Sequence, residues 1–280
     1  MLKYAARSDV GCRRSNNEDN FAAAPEHNLW ILADGVGGHD AGEIASEIAC
    51  QVIRDQVAQG HDLEVAIVKA HEAILAAPEK GHGRPGMAST VVALTADDSG
   101  FEVAWVGDSR CYLWSEERGL EQISRDHSLV QRLLEEQHIN EEEAANHPGR
   151  NIVLQALGQD NVEKLQVDAI RDSFEPGQIL LMCSDGLNDY VPHDDIVASF
   201  RASDDVDEIA DSLVAKTLAN NGADNVTVVL VQAPSETERR EREQAENVAT
   251  GGKSASRQSL LLVAGLLVLG ALYYFFQGSV

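Results

Sequence analysis

Residues 28–39 read Asn-Leu-Trp-Ile-Leu-Ala-Asp-Gly-Val-Gly-Gly-His, and this stretch decides the fold. A short apolar run ends at Asp34 and is followed at once by glycines. Such a run is typical of a buried strand, here one that carries a carboxylate at its tip. The glycines predict a turn directly beyond the strand.

Beyond this strand the apolar spacing changes. Apolar residues recur at intervals of three or four in residues 44–52 and 63–74, which predicts two amphipathic helices. Residues 88–95, 101–106 and 110–114 are rich in Val, Trp, Tyr and Thr. We expect them to form a meander of antiparallel strands.

The second half of the chain repeats the pattern of a strand that ends at an acid. Residues 178–183 predict such a strand, residues 206–217 a helix and residues 225–231 a closing strand. Strands in consecutive runs, interrupted by a helix pair, favour the α+β class over alternating βαβ units.

Four further motifs place acids beside Gly, Asn, Ser or another acid. They are Arg14-Ser15-Asn16-Asn17-Glu18-Asp19, Gly107-Asp108-Ser109-Arg110, Ser184-Asp185-Gly186-Leu187 and Gly222-Ala223-Asp224-Asn225. Carboxylates at strand ends, far apart in sequence, are how a fold gathers hard oxygen ligands around divalent cations. The alternative for each single Asp is a turn or cap residue.

The order and wording of these motifs resemble the metal-dependent Ser/Thr protein phosphatases of type 2C, from about residue 4 to residue 233. The resemblance implies a four-layer sandwich of two antiparallel β-sheets flanked by helices. For the polar residues 127–160 it implies a flap beside the active site. The alternative for this segment is a solvated surface loop with short helices.

The resemblance also implies two Mn²⁺ or Mg²⁺ ions at a catalytic centre of Asp34, Asp185 and Asp224. Asp34 resembles the carboxylate that bridges the ions, and the carbonyl of Gly35 resembles a ligand of one of them. Asp185 and Asp224 resemble ligands of the metal ion on the other side of Asp34. A water that bridges two such ions is acidic enough to attack phosphorus directly.

Further roles follow from the same resemblance. Asp19, with Glu18 beside it, matches a carboxylate that holds the metal waters. Asp108 matches a residue that, with Asp185, holds a third ion in bacterial members. Arg14 matches the residue that grips the substrate phosphate, for which the planar fork of a guanidinium is suited.

One position departs from the family pattern. Eukaryotic members carry a His after the Asp-Gly pair, proposed as the general acid, whereas this chain has Val36. A metal-bound water or another group must then protonate the leaving alkoxide. His39 is one candidate, and the alternative for His39 is a solvent-facing residue at a helix N-terminus.

The net charge of −24 limits the classes of partner. Residues 234–258 hold five acids and five bases, so the imbalance lies in residues 1–233. Such a surface repels nucleic acid and favours cations and basic protein segments, which opposes a two-metal nuclease. The alternative reading is an acidic surface that serves solubility alone.

The C-terminal part changes in composition. Residues 234–258 predict a charged and flexible linker, and residues 259–276 are 18 residues without a charge. At ~1.5 Å per residue this segment spans roughly 27 Å, close to a bilayer core. A buried core helix is the alternative. Lys253 and Arg257 precede the segment, which places residues 1–233 in the cytoplasm of a single-pass inner-membrane protein.

The sequence therefore predicts a membrane-anchored Ser/Thr protein phosphatase that counteracts a Ser/Thr kinase on phosphoprotein substrates. The alternative, from another class, is a weakly active membrane-bound scaffold that binds phosphoproteins. A scaffold that had lost catalysis would be expected to lose Asp34, Asp185 or Asp224, and all three are present. The sequence leaves open the substrate, the kinase, the preferred metal and the oligomeric state.

Overall fold

Two antiparallel sheets form the centre of the first of two compact units, Met1–Ala233 and Pro234–Val280. The computed structural model describes residues 1–37, 41–160 and 165–241, together with residue 244. The five-stranded sheet has the order β1 (Lys3–Asp9), β11 (Val226–Gln232), β10 (Ile179–Cys183), β7 (Arg110–Ser115), β8 (Gly119–Gln122). The six-stranded sheet has the order β2 (Asp19–Ala24), β3 (Leu29–Val36), β5 (Val91–Ala96), β6 (Gly100–Val106), β9 (Asp168–Ser173), and β4 (Ala88–Ser89) pairs with the end of β3.

Helices cover the outer faces of both sheets. Five helices do so: α1 (Ala41–Ala58), α2 (Leu63–Ala76), α5 (Asp185–Asn188), α6 (His193–Ala202) and α7 (Val206–Ala219). Two short helices, α3 (Leu129–Glu135) and α4 (Glu141–Ala145), lie in the segment between β8 and β9. One apolar core joins α1 and α2 to the six-stranded sheet, and a second joins α5, α6 and α7 to the five-stranded sheet. A third core lies between the sheets. The expected α+β sandwich of two antiparallel sheets flanked by helices is confirmed.

Strand β3 is buried on both faces. Leu29, Ile31 and Ala33 face the core under α1 and α2, whereas Trp30 and Leu32 face the core between the sheets. Successive side chains of a strand point to opposite faces, so a strand covered on both sides reads as a continuous apolar run. Burial on both faces explains why apolar and polar residues do not alternate along this strand.

The predicted meander is wrong at its last strand. β5 and β6 pair as expected, but β7 leaves this sheet and pairs with β10 in the other one. The chain crosses at Gly107, which has φ +108° and lies so close to Thr90 that an added Cβ would stand 2.6 Å from the Thr90 Cβ. The crossing carries Asp108 from one sheet to the other.

Helix α1 is confirmed, but its most buried face differs from the one the spacing indicated. Ile44, Ile48 and Val52 are only partly buried, and the small residues beside them face the sheet. A Cβ added to Gly42 would lie 2.8 Å from the backbone of Gly35. Small residues allow this close approach, which a hydrophobicity pattern does not reveal. The residues that predicted α2 are buried as expected.

The second unit is described only near its start. Residues 236–241 are helical. Within the described ranges, no helix is long and apolar enough to cross a membrane. The predicted membrane segment, residues 259–276, and most of the predicted linker, residues 234–258, lie outside the described residues.

Candidate active site

Asp19 and Asp34 face each other across paired strands. They are register partners in the β2–β3 ladder, and their carboxyl groups share a hydrogen bond. Burial raises the pKa of Asp34 well above its usual value, and the negative charges of four other aspartates raise it further. These four are Asp19, Asp185, Asp108 and Asp224. Acids from four other motifs therefore surround the Asp34 carboxylate.

Hydroxyl groups from the five-stranded sheet hold Asp19. Ser184 Oγ donates to Asp19 Oδ2 at 2.8 Å, and Thr227 contributes a second side-chain hydrogen bond. Ser184 is itself fixed, because its Oγ accepts from the backbone N–H of Thr227 at 2.9 Å. Burial raises the pKa of Asp19 to about 6, although these hydrogen bonds lower it. Asp19, on β2 of the six-stranded sheet, is thus tied to the five-stranded sheet.

Asp185 begins helix α5, directly after β10. A Cβ on Gly186 would stand 1.9 Å from the carbonyl oxygen of Asn225, so the two motifs are in backbone contact. Burial raises the pKa of Asp185, and the charges of Asp108 and Asp224 raise it further. The glycine after Asp185 is what lets these acids approach.

Asn225 fixes the loop that carries Arg14 and Glu18. Its Nδ2 donates to the carbonyls of Val10 (3.0 Å) and Asn16 (2.9 Å), and its Oδ1 accepts from the N–H of Glu18 (2.8 Å). One buried amide therefore places the first acidic motif against the last one.

Arg14 lies at the rim of the acidic centre. Its Nη2 and Nε contact the two carboxylate oxygens of Asp224, each at 2.9 Å. The side chain remains about half exposed. The same planar fork that would hold a phosphate is thus directed at the centre by one of the predicted metal ligands.

Glu18 and Gly35 are held mainly through their backbones. Gly35 N–H donates to Glu18 O at 3.1 Å, and Ser46 Oγ donates to the same oxygen at 2.6 Å. A Cβ on Gly35 would stand 2.2 Å from the carbonyl oxygen of Gly42. At position 35, where β3 passes the start of α1, no residue other than glycine fits.

Asp108 lies on the turn between β6 and β7. Burial raises its pKa to about 6, and the charge of Asp126 raises it further. Its neighbour Ser109 shares a 2.7 Å hydrogen bond with Thr90, whose Oγ1 accepts from the N–H of Asp34 at 3.2 Å. A chain of hydrogen bonds therefore joins the turn to the end of β3.

This donor set fits hard divalent cations. It consists of carboxylate oxygens, the ligands that Mg²⁺ and Mn²⁺ prefer. Burial, and then the negative charges of neighbouring aspartates, raise the pKa of Asp34 and that of Asp185, and bound cations would offset both effects. In the part of the chain that the structure describes, no three His, Cys, Asp or Glu side chains are already grouped to chelate one ion. Mg²⁺ commonly keeps several waters and binds only one or two carboxylates directly. A site for Mg²⁺ therefore does not need three side chains grouped around one ion.

A cavity of about 650 Å³ opens beside the acids. Asp108 and Asp185 lie on one wall, and side chains of α3 and α4, including Val130 and Ala144, form another. The segment predicted as a flap or a surface loop therefore lines the approach to the candidate centre.

The structure brings together the predicted acids and Arg14, and it adds polar residues that sequence reasoning missed. Ser184, Ser109 and Asn225 stood inside the quoted motifs, which was the only signal for them. Thr90 and Thr227 carried none. Val36 is 44% exposed at the end of β3, and His39 lies outside the described residues.

Comparison with known proteins agrees with this geometry. The family model described as Protein phosphatase 2C matches residues 12–223. The serine/threonine phosphatase stp of Listeria monocytogenes serotype 4b (strain F2365) is 36% identical over 239 residues, which cover 81% of this chain and 94% of that protein.

Solved structures share the fold. The serine/threonine phosphatase PstP/Ppp of Mycobacterium tuberculosis matches with a TM-score of 0.76 and 35% identity, over 83% of this chain and 99% of that one. A catalytic domain of PstP in complex with two manganese ions matches with a TM-score of 0.73 and 33% identity, over 84% and 99%.

Proposed function

The chain belongs to the protein phosphatase 2C family, and we propose that it hydrolyses phosphoserine and phosphothreonine in proteins at the Asp34 centre. The observation that carries the proposal is the group of four aspartates, from four separate motifs, that lies around the buried Asp34. Mn²⁺ or Mg²⁺ bound there would polarise the phosphate and make water acidic enough to attack phosphorus. The related catalytic domain with two manganese ions supports this choice of cation.

The remaining roles in binding the cations and the phosphate fall to residues of this chain. Asp34, Asp185 and Asp224 would hold the cations, and the Gly35 carbonyl would be a further ligand. Asp19 and Glu18 would hold the water molecules bound to the cations. Asp108, beside Asp185, would serve a third ion. Arg14 would bind and orient the phosphate, because a guanidinium at the rim offers two parallel donors to two oxygens.

Nothing in this scheme needs a nucleophilic side chain of the protein. Burial raises the pKa of the Cys50, Cys111 and Cys183 thiols, so these cysteines stay protonated and inert. Direct attack by water is the route that matches a centre built only from carboxylates.

The location and partners are part of the proposal. Residues 259–276 would anchor the enzyme as a single-pass inner-membrane protein, and the basic residues before them would keep residues 1–233 in the cytoplasm. Its partners would be phosphoproteins and a Ser/Thr kinase whose action it reverses. The support is the uncharged 18-residue segment and the charge that precedes it.

Hydrolysis of a phosphothreonine peptide by the full chain, with Mn²⁺ and then with EDTA, tests the activity. We expect turnover with Mn²⁺ and its loss in EDTA. Equal rates in both conditions would exclude a metal-dependent reaction. Tight peptide binding without turnover would instead favour the phosphoprotein-binding scaffold.

Membrane fractionation tests the location. We expect the full chain in the membrane fraction after a carbonate wash, and its N-terminal domain protected from protease added outside intact spheroplasts. Recovery in the soluble fraction would contradict the anchor, and digestion from outside would contradict the orientation.

A further inference from the structure

His127 holds the turn that carries Asp108. Its backbone N–H donates to Gly107 O at 2.8 Å, and the N–H of Gly107 donates to His127 Nδ1 at 3.2 Å. The His127 side chain is 10% exposed. Both backbone polar groups of Gly107 are thus satisfied by one buried residue.

The hydrogen bonds around the ring decide where its proton lies. Gln155 is oriented by Gln166, since its Oε1 accepts from Gln166 N (3.2 Å) and its Nε2 donates to Gln166 O (3.0 Å). The same Nε2 lies 2.7 Å from His127 Nδ1. Because Nδ1 meets two N–H donors, it carries the lone pair, and the proton of the neutral ring is on Nε2. That nitrogen faces Asp168 Oδ2 at 3.4 Å.

The ring joins two parts of the molecule that are distant in sequence. On one side it contacts Gly107, which precedes Asp108. On the other side it contacts Gln155, and His127 O accepts from Leu154 N at 2.7 Å. Residues 154 and 155 follow α3 and α4, which line the cavity beside Asp108. A shift of this segment would therefore be felt at the turn.

We propose that His127 is a positioning residue: through Gly107 it fixes the orientation of Asp108 and couples it to the segment around Gln155. The inference rests on the proposed function, because Asp108 is expected to serve a cation beside Asp185. His127 itself touches neither the phosphate nor the ion. Its contribution lies in the acceptor at Nδ1.

Two substitutions of His127 distinguish the effect of losing the Nδ1 acceptor from the effect of losing the ring. His127→Phe keeps a planar ring but removes Nδ1, whereas His127→Asn places an amide oxygen near the position of Nδ1. Partners that orient metal ligands change affinity or rate by about tenfold or more when removed. In calorimetric titrations of the full chain, we expect His127→Phe to lower the affinity for the most weakly bound Mn²⁺ ion by about tenfold. His127→Asn should restore most of that loss, and Asp168→Asn, on the other side of the ring, should match the wild type.

The result that would overturn the proposal is a His127→Phe isotherm equal to that of the wild type, or a His127→Asn isotherm as weak as that of His127→Phe. If His127→Phe does not fold, His127→Leu takes its place in the same comparisons, because leucine also lacks the acceptor at Nδ1. If the wild type hydrolyses no phosphopeptide, the proposed function fails, but the isotherms still test the role of His127.

A double-mutant cycle tests whether the effect passes through Asp108. Residues that act through one another give non-additive effects. In an Asp108→Ala background, His127→Phe should lower kcat no further. A further drop as large as that in the wild-type background would show that His127 acts elsewhere, and would refute the proposed coupling.

Discussion

The two sides of the acidic centre are built in different ways. Asp19 and Asp34 sit opposite each other in a ladder of paired strands, and β3 is buried on both faces. Asp108 instead sits on a turn that side chains hold, through Thr90 on one side and His127 on the other. Strand pairing fixes the first side, whereas the second depends on contacts with a loop segment.

The packing of the surroundings follows the same division. None of the residues of α3 is buried, and in α4 only Ala144 is. Regions with few buried apolar contacts open locally at low cost in free energy. The candidate cation centre therefore lies beside a wall with few buried apolar residues, and we expect local opening of that wall to act first on Asp108.

Removing the acid on the side fixed by strand pairing should have the largest effect. Asp34→Asn takes away the carboxylate around which the others are grouped, so cations would lose their shared ligand. Cations contribute several kcal/mol to such reactions, and each ~1.4 kcal/mol is a tenfold change in rate, so we expect kcat to fall about 1000-fold. The measurement is steady-state phosphopeptide hydrolysis, with Asp172→Asn, an exposed acid of β9, as the matched control. Turnover within a few-fold of the wild type would show that Asp34 is not central.

Removing the acid on the side held by side chains should cost less. We expect Asp108→Ala to lower kcat about 10- to 100-fold, because it removes a ligand of one ion and leaves the Asp34 core intact. The same assay over a range of Mn²⁺ concentrations measures it. A rate equal to that of the wild type at every Mn²⁺ concentration would contradict the role of Asp108.

Substitution of Arg14, at the rim of the acidic centre, tests how the phosphate of the substrate is bound. Arg14→Ala should raise KM about tenfold with a smaller change in kcat, since it removes phosphate binding rather than the cation centre. Arg13→Ala provides the control, because Arg13 is adjacent and equally charged. If Arg13→Ala raised KM more than Arg14→Ala, the assignment of the phosphate ligand would be wrong.

Proton binding should stabilise the cation-free protein. The pKa of Asp19 and that of Asp108 are each raised to about 6, above the usual value for a carboxyl group, so the folded state binds protons more readily than the unfolded one. Stability in EDTA should therefore be fully present at low pH and fall as pH rises through about 6, by about 2 kcal/mol from pH ~5 to pH ~7.5. Urea unfolding in EDTA measures this, and Asp108→Asn should flatten the slope. A protein that gains stability over this range would contradict the raised pKa values that burial gives to these carboxyl groups.

The sequence singled out the acids that the structure brings together, but it did not reveal the side chains that hold them in place. An Asp after an apolar run is a local signal, and it located the ends of β3 and β10. Strand β9 is mostly exposed and polar, so it gave no apolar pattern. The crossing of β7 to the other sheet depends on the conformation of Gly107 against Thr90, a contact between residues distant in sequence. The roles of Ser184 and Asn225 likewise depend on partners that only the folded chain brings near.

Calorimetric titration of the full chain with Mn²⁺, for the wild type, Asp34→Asn and Asp108→Ala, tests most directly whether Asp34 is the centre of the cation site. We expect the wild type to bind at least two ions, Asp108→Ala to keep the tighter binding and lose the weaker, and Asp34→Asn to lose the tighter binding. Identical isotherms for the wild type and Asp34→Asn would contradict a cation centre built around Asp34.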